Sequence, residues 1–361
     1  MKIQRSARCS LKFATASKRE TLKTVLAEYG RVVNCFIDLF WEDVPGRSAL
    51  LKPVVDSIPS WLSARLRKVA AWEAIGMVKS IKAKKRPGET KPVHRGNRMC
   101  CCSTIVNLIP AQSATEFDAW IHLWCIGNKI ILDLPIKFHK QFNKWNELGT
   151  RLNSYIITSD YIQFCFEVET GPKKSPDTMI GVDTGIKTLA ACSDGRMLGR
   201  DIEAPIQRIK RCKHGSKGQK RASNALRQRM DEVAKEVVAS VDLVVVEKLK
   251  KLADKTKIKR RLSKAVRYTI GRWNYRYWLT RLQQKCEENR VSFRSVPAYN
   301  TSRQCPSCGH TDRGNRRGEE FICLLCGYAD NADHNASLNI LNRFLTGAYG
   351  PGFKLALEIC L

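Results

Sequence analysis

Cys305-Pro-Ser-Cys308-Gly309, then Cys323-Leu-Leu-Cys326-Gly327, then Asp333-His334-Asn335-Ala336-Ser337 close the C-terminal part of the chain. Two CxxC pairs with a short spacer bring four thiolates around one point, the donor set that tetrahedral Zn²⁺ takes. A glycine after the second cysteine of each pair lets the backbone turn so that both sulfurs face the metal. A closed Cys₄ site leaves no open coordination position, so Cys305, Cys308, Cys323 and Cys326 read as ligands of a structural zinc. A function comes only with the acid that follows. Asp333 opens a predicted helix whose apolar positions are Ala336, Leu338, Ile340 and Leu341.

Upstream, two more acids stand at strand ends. Thr178–Val182 reads as a strand running into Asp183, with Thr184-Gly185 leaving room beside the carboxylate. Leu243-Val-Val-Val246 is a fully apolar strand ending in Glu247, where a buried charge is costly without compensation. If these strands are neighbours and the Asp333 helix packs on them, three carboxylates converge. Converging anions raise one another's pKa values unless cations lie between them. Mg²⁺, hard and oxygen-seeking, is the natural occupant, and a pair of such ions serves phosphodiester cleavage. Singly, Asp183 could be a turn residue, Asp333 an N-cap and Glu247 a strand-end charge reaching solvent.

The segments around these acids alternate in texture, which predicts a mixed sheet covered by helices. A basic helix is expected over about Ile206–Ser240, a second basic run over Lys250–Lys264, a helix over Arg267–Glu288 and a strand over Val291–Val296. Lys210, Arg211, Lys213, Lys217, Lys220, Arg221, Arg227 and Arg229 crowd the first run, and Lys255, Lys257, Lys259, Arg260 and Arg261 the second. A charge run is usually a solvated face, but beside an acid triad it suits a phosphate backbone. Trp273, Tyr275, Tyr277 and Trp278 suit a helix core better than base stacking. With four thiolates filling the zinc site, His310 and His334 read as groups outside it.

Before residue 176 the pattern differs. Residues 1–15 read as a strand, followed by a helix from a Ser17-Lys-Arg-Glu20 capping box and a second helix over about Ser57–Lys84. The break lies at Val44-Pro45-Gly46, and basic Lys82–Arg98 reads as a loop. Strands resume from Ser103: Ile121–Ile126, Lys129–Leu134, Tyr155–Ile157 and Tyr161–Val168, with Gly127-Asn128 as a hairpin turn. This is an antiparallel β module with a helical block inserted after its first strand. Gly171–Lys174 reads as the linker onward. Nothing assigns a role to Cys100-Cys101-Cys102.

The whole chain, 361 residues with 63 Lys+Arg against 34 Asp+Glu, carries +29. A polyanion is the default partner, nucleic acid first. No apolar run has the roughly 18 residues of a membrane span, and the N-terminus lacks a signal-peptide pattern. Fifteen cysteines, an odd number with three adjacent, argue against a disulfide framework and for a reducing, cytoplasmic setting.

Taken in order, Gly181-Val-Asp183-Thr-Gly185-Ile-Lys187, Val244-Val-Val-Glu247-Lys-Leu249, the four cysteines and Asp333-His-Asn335-Ala336 resemble the TnpB family. So does the lead-in Tyr299-Asn-Thr301-Ser-Arg-Gln304. These are transposon-encoded RNA-guided nucleases related to the compact Cas12 effectors. The resemblance is specific over residues 178–343 and architectural over 1–177. It implies a multidomain α+β protein with an RNase H-like (RuvC) α/β domain over 176–303 and 328–361, and a zinc ribbon inserted at 304–327. It further implies a β wedge module over 1–15 and 103–175 and a helical recognition lobe over 16–102. Asp183, Glu247 and Asp333 would be the catalytic Mg²⁺ ligands. A guide RNA, target double-stranded DNA and its displaced strand would be the partners in a prokaryotic cytoplasm. The alternatives are a compact Cas12 effector using CRISPR RNA, a guided DNA-binding repressor that never cuts, and a guide-independent accessory protein. Asn331 departs from the family by standing where many relatives carry another acid. The insert between Cys192 and Leu243 and the tail after Asn342 are both short.

Overall fold

Nine residues of β1 (Lys2–Ser10) alternate strictly between exposed and buried positions, the period-2 signature of a strand with one face on a core. In this computed structural model, which describes residues 1–46, 48, 50–83, 89–112, 116–248 and 273–347, the chain divides into two units, Met1–Glu169 and Thr170–Leu361. The second basic run with Lys255, Lys257, Lys259, Arg260 and Arg261, the first residues of the helix expected from Arg267 and the chain beyond 347 lie outside the described residues.

In the first unit β1 pairs along its length with β7 (Tyr161–Glu169), which pairs with β6 (Gly149–Thr158), which pairs with β2 (Arg98–Cys102), all antiparallel. The cysteine triplet is therefore an edge strand, with Cys101 opposite Tyr155. The chain returns to this sheet earlier than the sequence pattern suggests, so a boundary at residue 102 cuts through the sheet. Between β1 and β2 lie α1 (Ala16–Leu39), α2 (Lys52–Asp56) and α3 (Ala64–Lys82). The N-cap of α1 is Thr15, whose hydroxyl accepts from Lys18 N–H, and not Ser17. Glu20 binds Lys23 instead of closing a capping box. The second helix starts at Ala64 with Ser63 as its cap, later than expected. A three-stranded meander, β3 (Val106–Pro110), β4 (Ala119–Leu123) and β5 (Leu132–Ile136), and helix α4 (Lys140–Leu148) complete the unit. Left-handed Gly127 and Asn128 lie in the β4–β5 connection, and a Cβ at Gly127 would stand 2.2 Å from the Trp61 carbonyl.

The second unit is built on a five-stranded sheet in the order β10 (Met197–Leu198), β9 (Ala190–Cys192), β8 (Met179–Asp183), β11 (Leu243–Lys248), β12 (Ser292–Pro297). Strands β8, β11 and β12 are parallel; β9 and β10 are antiparallel to their neighbours. The basic segment is two helices, α5 (Glu203–Arg211) and α6 (Lys217–Val238), broken near left-handed Gly215. With α7 (Tyr275–Glu288) they cover one face through Ile180, Val182, Val244 and Val246. Helix α8 (Ala332–Thr346) covers the other through Leu243, Val245 and Ile340. Helices on both faces explain why the central strand is apolar throughout and not alternating.

Gly181 lies where α8 meets β8. A Cβ there would stand 2.1 Å from the Ser337 carbonyl oxygen and 2.8 Å from the Leu341 nitrogen. Gly181→Ala is expected to push the helix off the sheet and cost about 1–3 kcal/mol, the range of overpacked cores. A denaturant midpoint equal to that of the unsubstituted chain would refute so close an approach.

Candidate active site and metal centre

The pleat decides where the acids go. Side chains two residues apart share a face. Gly181 and Val245, each against α8 or its core, are opposite one another in register, so Asp183 and Glu247 belong to that same face one pleat further on. Helix α8 begins there, and Asp333 is in its first turn. Asp183, Glu247 and Asp333 accordingly line one cavity of about 570 Å³, together with Lys187, Trp273, Thr301, Arg316 and Glu319.

The charges in this cavity are out of balance. Burial pushes the Asp183 carboxyl up to about 7, and the charges of Glu247 and Asp333 push the same way. Glu247 is also raised by burial, opposed by a hydrogen bond from the Thr301 hydroxyl and by the guanidinium groups of Arg343 and Arg316. Arg316 binds Asp333 directly, Nη2 to Oδ1 at 2.9 Å. At the rim, Lys187 pairs with Glu319 at 2.5 Å. Three carboxylates lining one cavity, one of them holding its proton to near neutrality through burial first and its acidic neighbours second, offer the oxygen donors that a hard divalent cation takes.

Asn331 caps α8, its side-chain oxygen accepting from the Asp333 and His334 amides. An aspartate would accept the same two bonds, so the cap does not select the amide. Asp330, one residue earlier, takes His334 Nδ1 at 2.7 Å and the Tyr328 hydroxyl.

The four cysteines meet. Their sulfurs lie within 4.8 Å of one another, with Cys305–Cys326 at 3.6 Å and Cys308–Cys323 at 3.5 Å. Zn–S bonds of about 2.3 Å in a tetrahedron separate sulfurs by about 3.8 Å, close to these values. Gly309 and Gly327 are left-handed, and their amides donate to the carbonyls of Cys305 and Cys323, closing both turns. The site could hold a structural metal such as zinc. It sits on a small sheet of β13 (Arg316–Arg317), β14 (Glu320–Ile322) and β15 (Ala329–Asn331), and β15 runs directly into α8. The hairpin that carries Arg316 to Asp333 is thus part of the module that carries the four cysteines.

The aromatic residues near α7 are mostly core. Trp278 is fully buried and donates to the Thr184 hydroxyl, and Tyr277 donates to Asp231. Nothing in the sequence marks Arg316 or Thr301 as partners of the acids, which stand 17 and 54 positions away. Asn335, Asn339 and Arg343 leave a fainter mark, since polar residues every fourth position on an apolar helix are a legible signal.

Residues 275–340 match the family model described as "Cas12f1-like, TNB domain". Over 72 residues the chain is 39% identical to the CRISPR-associated endodeoxyribonuclease Cas12f1 of Sulfoacidibacillus thermotolerans, covering 20% of this chain and 17% of that protein. Over 201 residues it is 23% identical to the Cas12f1 of an uncultured archaeon, covering 46% of this chain and 38% of the relative. The chain thus matches well under two thirds of the length of these relatives. Its fold is similar to a Cas12f1 in a cryo-EM structure of a Cas12f1–sgRNA–target DNA complex, with a TM-score of 0.60 at 16% identity over 91% of this chain and 83% of that one. The likeness is therefore to compact Cas12 nucleases, by fold over most of the chain and by sequence over parts of it. No helix among the described residues is long and apolar enough to cross a membrane.

Proposed function

We propose that the chain is an RNA-guided DNA endonuclease of the compact TnpB and Cas12 kind, with Asp183, Glu247 and Asp333 as its catalytic metal ligands. The observation that carries this is the convergence of three carboxylates from β8, β11 and α8 in one cavity, beside a Cys₄ centre. The sheet order, with antiparallel β9 and β10 on one side of β8 and parallel β11 and β12 on the other, supports an RNase H-like (RuvC) domain. Mg²⁺ held by the three acids would activate a water and stabilise the oxygen leaving the phosphodiester. Arg316 supplies cationic charge to Asp333, and Trp273 and Thr301 wall the cavity. Base pairing with a bound RNA would supply sequence specificity, the protein reading helix shape and a short flanking motif. The Cas12f1 of similar fold is itself in complex with a guide RNA and target DNA. The motifs are shared by the transposon-encoded and CRISPR branches, and the relatives that match by sequence are Cas12f1 nucleases.

RNA binding is expected to use α5, α6 and the turn between them, where Lys210, Arg211, Lys213, Lys217 and Lys220 are exposed or partly so. Arg229 does not belong to this set, being held by Asp201, Glu232 and Glu236. Replacing the five by alanine should make binding less salt-dependent, the log–log slope shrinking by about 0.7–0.9 for each phosphate no longer neutralised. An unchanged slope would place the RNA elsewhere.

The identity of the guide is tested by purifying the chain from its own cells and sequencing the RNA that accompanies it. One RNA from beside the gene, ending in sequence that matches flanking DNA, supports the transposon-encoded reading. Repeat-derived RNAs would move the protein to the CRISPR effectors, and the absence of RNA would contradict guided cleavage.

A further inference from the structure

We infer that Thr301 is a positioning residue for Glu247, and that the polar stripe Asn335–Asn339–Arg343 of α8 holds it in place; the inference rests on the nuclease reading above. The Thr301 hydroxyl donates to Glu247 Oε1. Its other acceptor, the Ala298 carbonyl, is 3.5 Å away, and a carboxylate is the stronger partner for the single proton. The contact orients the carboxylate, with one oxygen committed to Thr301 and the other left for the cavity that Glu247 lines.

Thr301 is only 3% exposed, and its loop is fastened from behind. Asn339 Nδ2 donates to the Thr301 carbonyl at 2.8 Å and to the Gln304 carbonyl at 2.7 Å. Asn335 Nδ2 donates to the same Gln304 carbonyl at 3.1 Å. Arg343 donates to the Pro297 carbonyl and to Gln304 Oε1, each at 3.0 Å. These three side chains, four residues apart, are each no more than 6% exposed. Burying them costs free energy that an apolar seam would avoid. What they provide is a fixed loop backbone. The helix that brings Asp333 to the cavity and packs on Gly181, two residues before Asp183, also fixes the residue that aims Glu247. One element therefore sets the relation among all three acids.

Thr301→Val keeps the shape and removes the hydroxyl, Thr301→Ala removes it with less bulk should valine disturb the packing, and Thr301→Ser restores it. Mn²⁺ bound to the full chain with its co-purifying RNA is counted by electron paramagnetic resonance, as the difference from Asp183→Asn. Cleavage is followed alongside. The half-saturating Mn²⁺ concentration is expected to rise about 10–100-fold in the valine and alanine variants, with cleavage falling in step, and to return towards the original in the serine variant. Valine and alanine variants that bind Mn²⁺ as the unsubstituted chain does would overturn the inference and leave the nuclease reading intact. A serine variant as impaired as valine would also overturn it, since the hydroxyl would then not be the active part. An unsubstituted chain that binds no more Mn²⁺ than Asp183→Asn would overturn both.

Discussion

Asp183→Ala is expected to lower cleavage of guide-matched DNA on the order of 10³-fold or more, equivalent to about 4 kcal/mol of barrier, with RNA and DNA binding retained. Asp183 ends β8, one of the parallel pair β8–β11, and lines the cavity together with Glu247 and Asp333. The proposed RNA contacts lie on α5, α6 and the turn between them, which is why cleavage and binding should separate. Glu319 also lines the cavity, but it is paired with Lys187 at the rim. Single-turnover cleavage and filter binding on the same preparations check both halves. Cleavage at the original rate would remove the acids from the chemistry.

The same residue carries a pH prediction. The Asp183 carboxyl ordinarily titrates near 3.8 and is pushed to about 7 in the folded chain, first by burial and then by Glu247 and Asp333. The folded state then holds the proton more tightly than the unfolded one. This stabilising contribution is complete below about pH 4 and is lost as the pH rises through about 7. In zinc-replete buffer without Mg²⁺, Asp183→Asn should therefore melt above the unsubstituted chain at pH 8, and the gap should close towards pH 5. This is the behaviour of a buried carboxyl crowded by two other acids. Equal melting at pH 8 would mean that burial and the neighbouring carboxylates do not hold a proton on Asp183 in the folded chain.

Cys308→Ser is the second large effect. A structural zinc contributes its binding free energy to folding, about 10–16 kcal/mol in isolated zinc modules at neutral pH. Losing one of four thiolates should remove several kcal/mol of that and lower the melting temperature by more than about 10 °C. The consequence reaches the acids, because β15 passes straight into α8 and the β13–β14 hairpin carries Arg316 to Asp333. Loss of metal should therefore impair cleavage even where the rest of the sheet stays folded. Zinc content by mass spectrometry and melting by circular dichroism check it. A variant that retains the original melting temperature would leave the tetrad without a structural metal.

Much of this site is legible in the sequence because its signals are local. An apolar run with a terminal acid marks a strand buried on both faces, and Leu243–Glu247 is that strand. Two CxxC pairs carry their geometry in their spacing, and the four sulfurs do meet. What stays hidden depends on partners far along the chain. Thr301 is an ordinary loop threonine until β11 sets Glu247 beside it, and Arg316 is one of several basic residues in the spacer until the hairpin folds back on Asp333. The displaced helix starts have a different cause. Ser17 and Thr15 are both acceptable caps, and the choice between them falls to how β1 hands the chain to α1, which no capping pattern records. Cys100–Cys102 look featureless alone, but opposite Ser154–Ile156 they extend a sheet.

The three acids are proposed to cut DNA chosen by a bound RNA. The most direct measurement uses the chain loaded with its own co-purified RNA, and a plasmid library in which the RNA-matched target is followed by randomised flanking sequence. With Mg²⁺ present, double-strand breaks are expected only at matched targets beside one short flanking motif, and none when Mg²⁺ is omitted or the target is scrambled. Matched plasmids that are bound but stay intact in Mg²⁺ would contradict this expectation and identify a guided DNA-binding protein in place of a nuclease.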